Sequence, residues 1–233
     1  MLYIISLILI LAFYALSIKC MKHMRNVRLW NFLFGSVIFA CYAFVIVRVY
    51  SSVGFYDWNF QNTLPVANVS PFMFTLVGVI WLVPKRARRH LYLLISLLSV
   101  GMLLSSVFGC IYNASINYKF HLHFLSDYIA HAVLSLWGVY LIQSCQVKLS
   151  VKNALISGGI IIGVALAMLG LNVIFDTAFF GLSLNGKHNI YNMVLTDNSY
   201  ESAGLYFIGL TGVLLLGCLY SGIIAKRSSL RIS

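Results

Sequence analysis

Acidic residues are scarce. Five Asp and Glu stand against 16 Lys and Arg, and charged residues make up only 9% of the 233-residue chain. A soluble domain carries about 25%. So few charges cannot cover a water-facing surface of this size, and a 61% hydrophobic composition makes a membrane the expected solvent. Paired cysteines are also lacking. Cys20, Cys41, Cys110, Cys145 and Cys218 lie in or at the ends of apolar runs, with no CxxC pair. That argues against a disulfide framework and reads as small buried apolar residues. The last apolar run, "GLYFIGLTGVLLLGCLYSGIIAK", has no lysine before Lys226, so it offers no buried amine for a retinal Schiff base. The first run lacks a positively charged leader and its charges follow it, which fits an uncleaved helix entering N-end first.

What the chain does have is apolar length. Runs at about 2–18, 29–50, 66–84, 91–112, 124–144, 154–175 and 204–225 are long enough, or nearly so, to cross a hydrocarbon core of ~30 Å. The expectation is one all-α membrane domain over 1–233, a polytopic bundle of seven transmembrane helices. An odd count gives no even inverted repeat of the kind common in secondary transporters.

A net charge of +11 invites a nucleic-acid reading, but the distribution opposes it. Lys19, Lys22, Arg25 and Arg28 follow the first run, and Lys85, Arg86, Arg88 and Arg89 the third. Lys148 and Lys152 follow the fifth, and Lys226, Arg227 and Arg231 the seventh. The other ends of the runs hold Arg48, Lys119, Lys187 and all five acids: Asp57, Asp127, Asp176, Asp197 and Glu201. The positive-inside rule then sets the N-terminus outside and the C-terminus in the cytoplasm. The basic face meets anionic lipid, and no nucleic-acid partner is expected.

Polar residues inside the apolar runs carry the functional reading. "FHLHFLSDYIAHAVLSLWGVYLI" places Asp127 and His131 one turn apart on one helix face, with Ser135 and Gly138 continuing it. The sixth run ends on Asn172 and Asp176, the third begins with Asn68, Ser70 and Pro71, and the fourth ends with Cys110 and Asn113. All fall at a similar height towards the outer side. Ionisable groups within a bilayer face a bundle interior or a wet cavity, so one outward-facing polar pocket is expected. Helices three, five and six would line it, with the loop at about 176–203 as its roof. His131 is the candidate general base, oriented by Asp127, and Ser70 or Cys110 the candidate nucleophile. Asn172, Asp176, Asn68, His121 and Cys110 are candidate substrate contacts. An internal structural pair is the plainer alternative for Asp127 and His131. Imidazoles could ligate zinc, but His121 and His123 point about 200° apart on a helix, so no metal or other cofactor is expected. Gly159, Gly163 and Ala167, four apart on the sixth run, read as a face for close helix packing.

The segments "NTLP", "HLHFLSDYIAHAVLSLWGVYLI" and "LNVIFDTAFF" resemble the YwaF-like family of bacterial integral membrane proteins, itself similar to a eukaryotic transmembrane phospholipid acyltransferase. The resemblance covers about residues 60–215 and rests on Leu64-Pro65, on the spacing from His121 to His131 and on Asn172. It implies the seven-helix architecture, a bacterial cell membrane and lipid acyl transfer. At the third helix the family often reads Leu-Pro-Leu-His-Leu-Cys. Here Ala67 stands for that His and Val69 for the Cys, the residue thought to accept the acyl chain in the acyltransferase relative. Ser70 is the remaining hydroxyl. The expected function is an integral membrane protein binding a lipid or small amphiphile, with acyltransferase- or hydrolase-like chemistry. The alternatives are a non-enzymatic carrier or receptor-like binder, or a structural subunit of a membrane complex.

Overall fold

A computed structural model describes residues 2–53, 69–78, 80, 82–115, 122–147, 150–175, 182, 184 and 198–229. The described residues form an all-helical bundle of seven α-helices. They are α1 (Leu2–Cys20), α2 (Val27–Val53), α3 (Val69–Gly78), α4 (Lys85–Ser115), α5 (Leu122–Gln143), α6 (Val151–Phe175) and α7 (Ser199–Ser229), with a 3₁₀ turn at Met21–His23 after α1. Every helix but α3 is long and apolar enough to cross a membrane. Leu9 (64% exposed), Ile174 (72%) and Leu219 (66%) stand out from α1, α6 and α7. Apolar surface so continuous has no stable place in water. The protein is a multi-pass membrane protein.

The helices start where local chemistry caps them. Asn26 Oδ1 accepts from Leu29 N at the head of α2 (3.1 Å). Ser150 Oγ accepts from Asn153 N at α6 (3.2 Å), and Asn198 Oδ1 from Tyr200 N at α7 (3.0 Å). Each side-chain oxygen satisfies a backbone donor that the first turn leaves unpaired. Helix α4 begins directly after Pro84, whose carbonyl takes the Arg88 N–H (2.9 Å). It therefore takes in the basic residues Lys85, Arg86, Arg88 and Arg89, which sequence alone put before a helix beginning near 91.

Of the third expected run, 66–84, the described residues include a helix at Val69–Gly78, while 66–68, 79 and 81 lie outside them. Turns follow, with Ile80 N donating to Val77 O and Val83 N to Ile80 O. Pro84 keeps Val83 out of helical geometry, because a residue before proline is pushed out of it.

Helix α5 is the axis of the bundle. Its span is 78% buried, against 17–50% for the other five candidate spans. It packs on α4 and α2 most extensively, then on α1 and α7. Small residues allow the α4–α5 approach: a Cβ at Gly138 would stand 2.8 Å from Ile95 O and 2.7 Å from Ser99 Cβ. Ser106 Oγ donates across it to Tyr128 O (3.0 Å). Gly217 of α7 likewise lies against the Leu97 backbone of α4. The Gly159–Gly163–Ala167 face of α6 behaves otherwise. It is exposed, and no described atom lies within 4 Å of where a Cβ would stand at Gly159 or Gly163. Helix α6 packs on α4 and α7 through its other side, by way of Gly158, Ile161 and Ala165.

Candidate functional site

The first two turns of α5 present Asp127 and His131 towards α2 and α3. Ser126 Oγ donates to the Cys41 carbonyl of α2 (3.2 Å), which fixes this end of α5 against α2. Phe74 of α3 meets the His131 ring edge to face, with centroids 5.1 Å apart and planes at 84°. Tyr42 of α2 packs on the same phenyl ring (5.6 Å, 57°). His131 is buried, while Asp127 keeps 34% of its side chain exposed.

The local hydrogen bond fixes the tautomer. His131 Nδ1 lies 2.7 Å from the Asp127 carbonyl oxygen, one turn back. A carbonyl only accepts, so Nδ1 carries the proton and donates it. In the neutral ring the basic lone pair is then on Nε2. Asp127 Oδ1 is 3.6 Å from Nδ1, near enough to stabilise the imidazolium formed when Nε2 takes up a proton. This is the chemistry of a general base with an orienting acceptor.

The structure brings α3 to this base. Phe74 lies beside His131, while Val77, three residues on, and Trp137 both lie within 4.0 Å of a Cβ built at Gly35. Helix α3 therefore runs parallel to α5. Ser70 stands four residues before Phe74 in the sequence, and its side chain lies outside the described ones. Asn68, His121 and Asp176 lie outside the described residues, as does most of the expected 176–203 roof.

The other candidates sit elsewhere. Cys110 is buried in a separate apolar cluster with Tyr3, Ile10, Tyr128 and Ala132. Tyr128 and Ala132 lie about 100° round α5 from Asp127 and His131, so the Cys110 thiol and the His131 imidazole occupy different sides of the helix. Asn113 donates to Tyr128 Oη in that cluster and to Gly109 O (3.1 Å). Asn172 is buried and donates to the Leu182 carbonyl, tying the end of α6 to the segment beyond it. Ser135 shares a hydrogen bond with Tyr14 Oη of α1 (2.9 Å).

Sequence reasoning missed a second polar system at the other end of α5. Trp137 Nε1 donates to Asn31 Oδ1 (2.8 Å), and Asn31 Nδ2 to Gln146 Oε1 (2.6 Å). Gln146 Nε2 donates to Ser144 Oγ and Ser144 Oγ to Tyr140 O, both at 2.7 Å. Tyr140 Oη donates to Met24 O (3.0 Å), tying α5 to the α1–α2 connection. The available signal was Asn31 itself, a lone amide within "LWNFLF". Among the described residues no three His, Cys, Asp or Glu side chains gather as metal ligands would.

No family model, no curated protein and no solved structure matches this chain.

Proposed function

We propose that the protein is a seven-span plasma-membrane protein, N-terminus outside, with an outward-facing pocket for a lipid or small amphiphile. In this reading His131 is the general base of an acyl-transfer or hydrolytic reaction. The observation that carries it is the Nδ1–H···O=C bond to Asp127, which leaves Nε2 as the basic nitrogen inside a largely buried helix. Ser70, a residue of α3, is the nucleophile: its hydroxyl proton passes to Nε2 as its oxygen attacks the acyl carbonyl. The ester bond then breaks, and the departing alcohol takes the proton back from His131. Asp127 serves orientation. The resemblance to the YwaF-like family and its bacterial cell membrane belongs to this same proposal.

Support for seven crossings comes from chain direction. Helices α2 and α4 both begin at the end that carries Arg28 and Arg88, which line one cleft. The chain leaves that end along α2 and is back at it when α4 begins. The segment containing α3 makes that return crossing, parallel to α5.

The test uses protein purified in detergent and a phospholipid labelled in its acyl chain. Release or transfer of label is expected with wild type, and its loss with His131→Ala and with Ser70→Ala. Undiminished turnover in His131→Ala rejects the role. One observation favours a binder with no chemistry: Val69 occupies the position of the resembling family's cysteine, and Cys110 is walled off from His131. Retained ligand without product, unaffected by Ser70→Ala, selects that reading.

A further inference from the structure

At the basic end, far from His131, a cleft of about 440 Å³ opens between the start of α2, the start of α4 and the turn after α5. Arg28, Arg88, Arg89, Asn31, Gln146 and Tyr92 line it. The volume lies within the roughly 300–1,000 Å³ of small-molecule sites. Three arginines are among the lining residues, and no carboxylate is.

The site is built rather than loose. Arg88 is half-buried and held by its Nη2 bond to Val83 O (3.1 Å). Asn31 and Gln146 are oriented by the Trp137–Asn31–Gln146–Ser144 chain. Each of these two amide groups uses one N–H within that chain and carries a second, so the cleft offers neutral donors beside its arginines. Guanidinium forks and amide N–H groups suit a tetrahedral oxyanion. Tyr92 and Val27 add an apolar wall.

We propose that this cleft is a binding site for a phosphate group, as carried by an anionic phospholipid headgroup at the membrane surface. It is separate from the His131 pocket and does not depend on the function read there. The whole protein, stripped of lipid in a neutral detergent, is titrated with dioctanoyl phosphatidylglycerol, dioctanoyl phosphatidylcholine and inorganic phosphate. Native mass spectrometry counts bound lipid, and tryptophan fluorescence gives the affinity. Wild type is expected to take one phosphatidylglycerol in preference to phosphatidylcholine. Arg28 and Arg89 are exposed, so R28Q/R89Q folds, and it binds about 25-fold more weakly, about fivefold for each arginine. The control K19Q/K152Q removes the same charge from exposed residues at the same end, outside the cleft, and leaves binding unchanged. Competition by inorganic phosphate assigns the affinity to the phosphate alone. Its failure to compete, with the R28Q/R89Q loss intact, assigns it to the lipid headgroup. Equal weakening in both double variants, or phosphatidylcholine binding as tightly as phosphatidylglycerol, overturns the proposal. Should R28Q/R89Q yield too little protein, R89Q alone is read for its fivefold loss.

Discussion

Single residues decide how the lower half of α5 is held. The turn after it is a Schellman motif: Gln146 N donates to Leu141 O and Cys145 N to Ile142 O (both 3.1 Å). Its left-handed position is Cys145, with φ 56°, where glycine is the usual occupant because a Cβ is strained there. Cys145→Gly is expected to hold or raise the thermal midpoint in detergent, and the β-branched Cys145→Val to lower stability by about 1–2 kcal/mol. If valine is as stable as cysteine, the turn does not hold this conformation. The same turn delivers Gln146 to Asn31. Asn31→Leu strands Trp137 Nε1 and Gln146 Oε1, and an unpaired buried group costs about 1–3 kcal/mol. Trp137→Phe removes the donor instead. The two changes are expected to be non-additive, with a coupling of about 0.6–1.7 kcal/mol, the range found for interhelical bonds in membranes. Unfolding of both single variants and the double in mixed micelles measures this, and simple additivity would show that the bond contributes nothing.

At the scale of elements, backbone proximity rather than hydrophobicity distinguishes one helix contact from another. All the long helices are apolar, and lipid is as apolar as leucine, so association depends on close packing. Gly138 and Gly217 are the positions where α4 admits α5 and α7. Gly217→Ala places a methyl group against the Leu97 carbonyl and is expected to destabilise by about 1–3 kcal/mol, as overpacking does. Gly163→Ala, with open space around it, is expected to be neutral or stabilising by up to about 1 kcal/mol, since alanine is the better helix former. The pair is compared by thermal unfolding in one detergent, and the reverse order would contradict the packing described. This contrast also shows what the sequence could reveal. Apolar length made the six long helices legible, with ends up to six residues from those described. Spacing made Asp127 and His131 legible as a pair on one face. Which glycine stripe meets a neighbour was not legible, because Gly159–Gly163–Ala167 and the single glycines 138 and 217 differ in three-dimensional surroundings, not in pattern. The same limit hid Cys110 from view as a residue of another cluster. Its height in the sequence matched that of His131, and only the rotation about α5 separates them.

For the whole molecule, the two polar systems of α5 lie at opposite ends of one buried helix, and the charges are divided accordingly. Asp127 and His131 belong to the end where α7 begins with Glu201; Asn31, Gln146 and the arginine cleft belong to the basic end. The proposed orientation puts the basic end in the cytoplasm, where Lys and Arg in short connections are retained. Nothing in the packing of the helices depends on that sign, since an inverted bundle would keep every contact. Only the charge distribution distinguishes the two orientations, which makes orientation a separate prediction from fold. A fluorescent protein fused after Ser233 is expected to fluoresce, and a phosphatase that needs the external compartment to be inactive there. Fused at about residue 60, between α2 and α3, the phosphatase is expected to be active. Two active phosphatase fusions would place α3 outside the set of crossings, and the inverse pattern would turn the molecule over. In that inverted case His131 would open to the cytoplasm and the arginine cleft to the outer leaflet, so a fusion experiment alone decides which compartment supplies each site with its ligand.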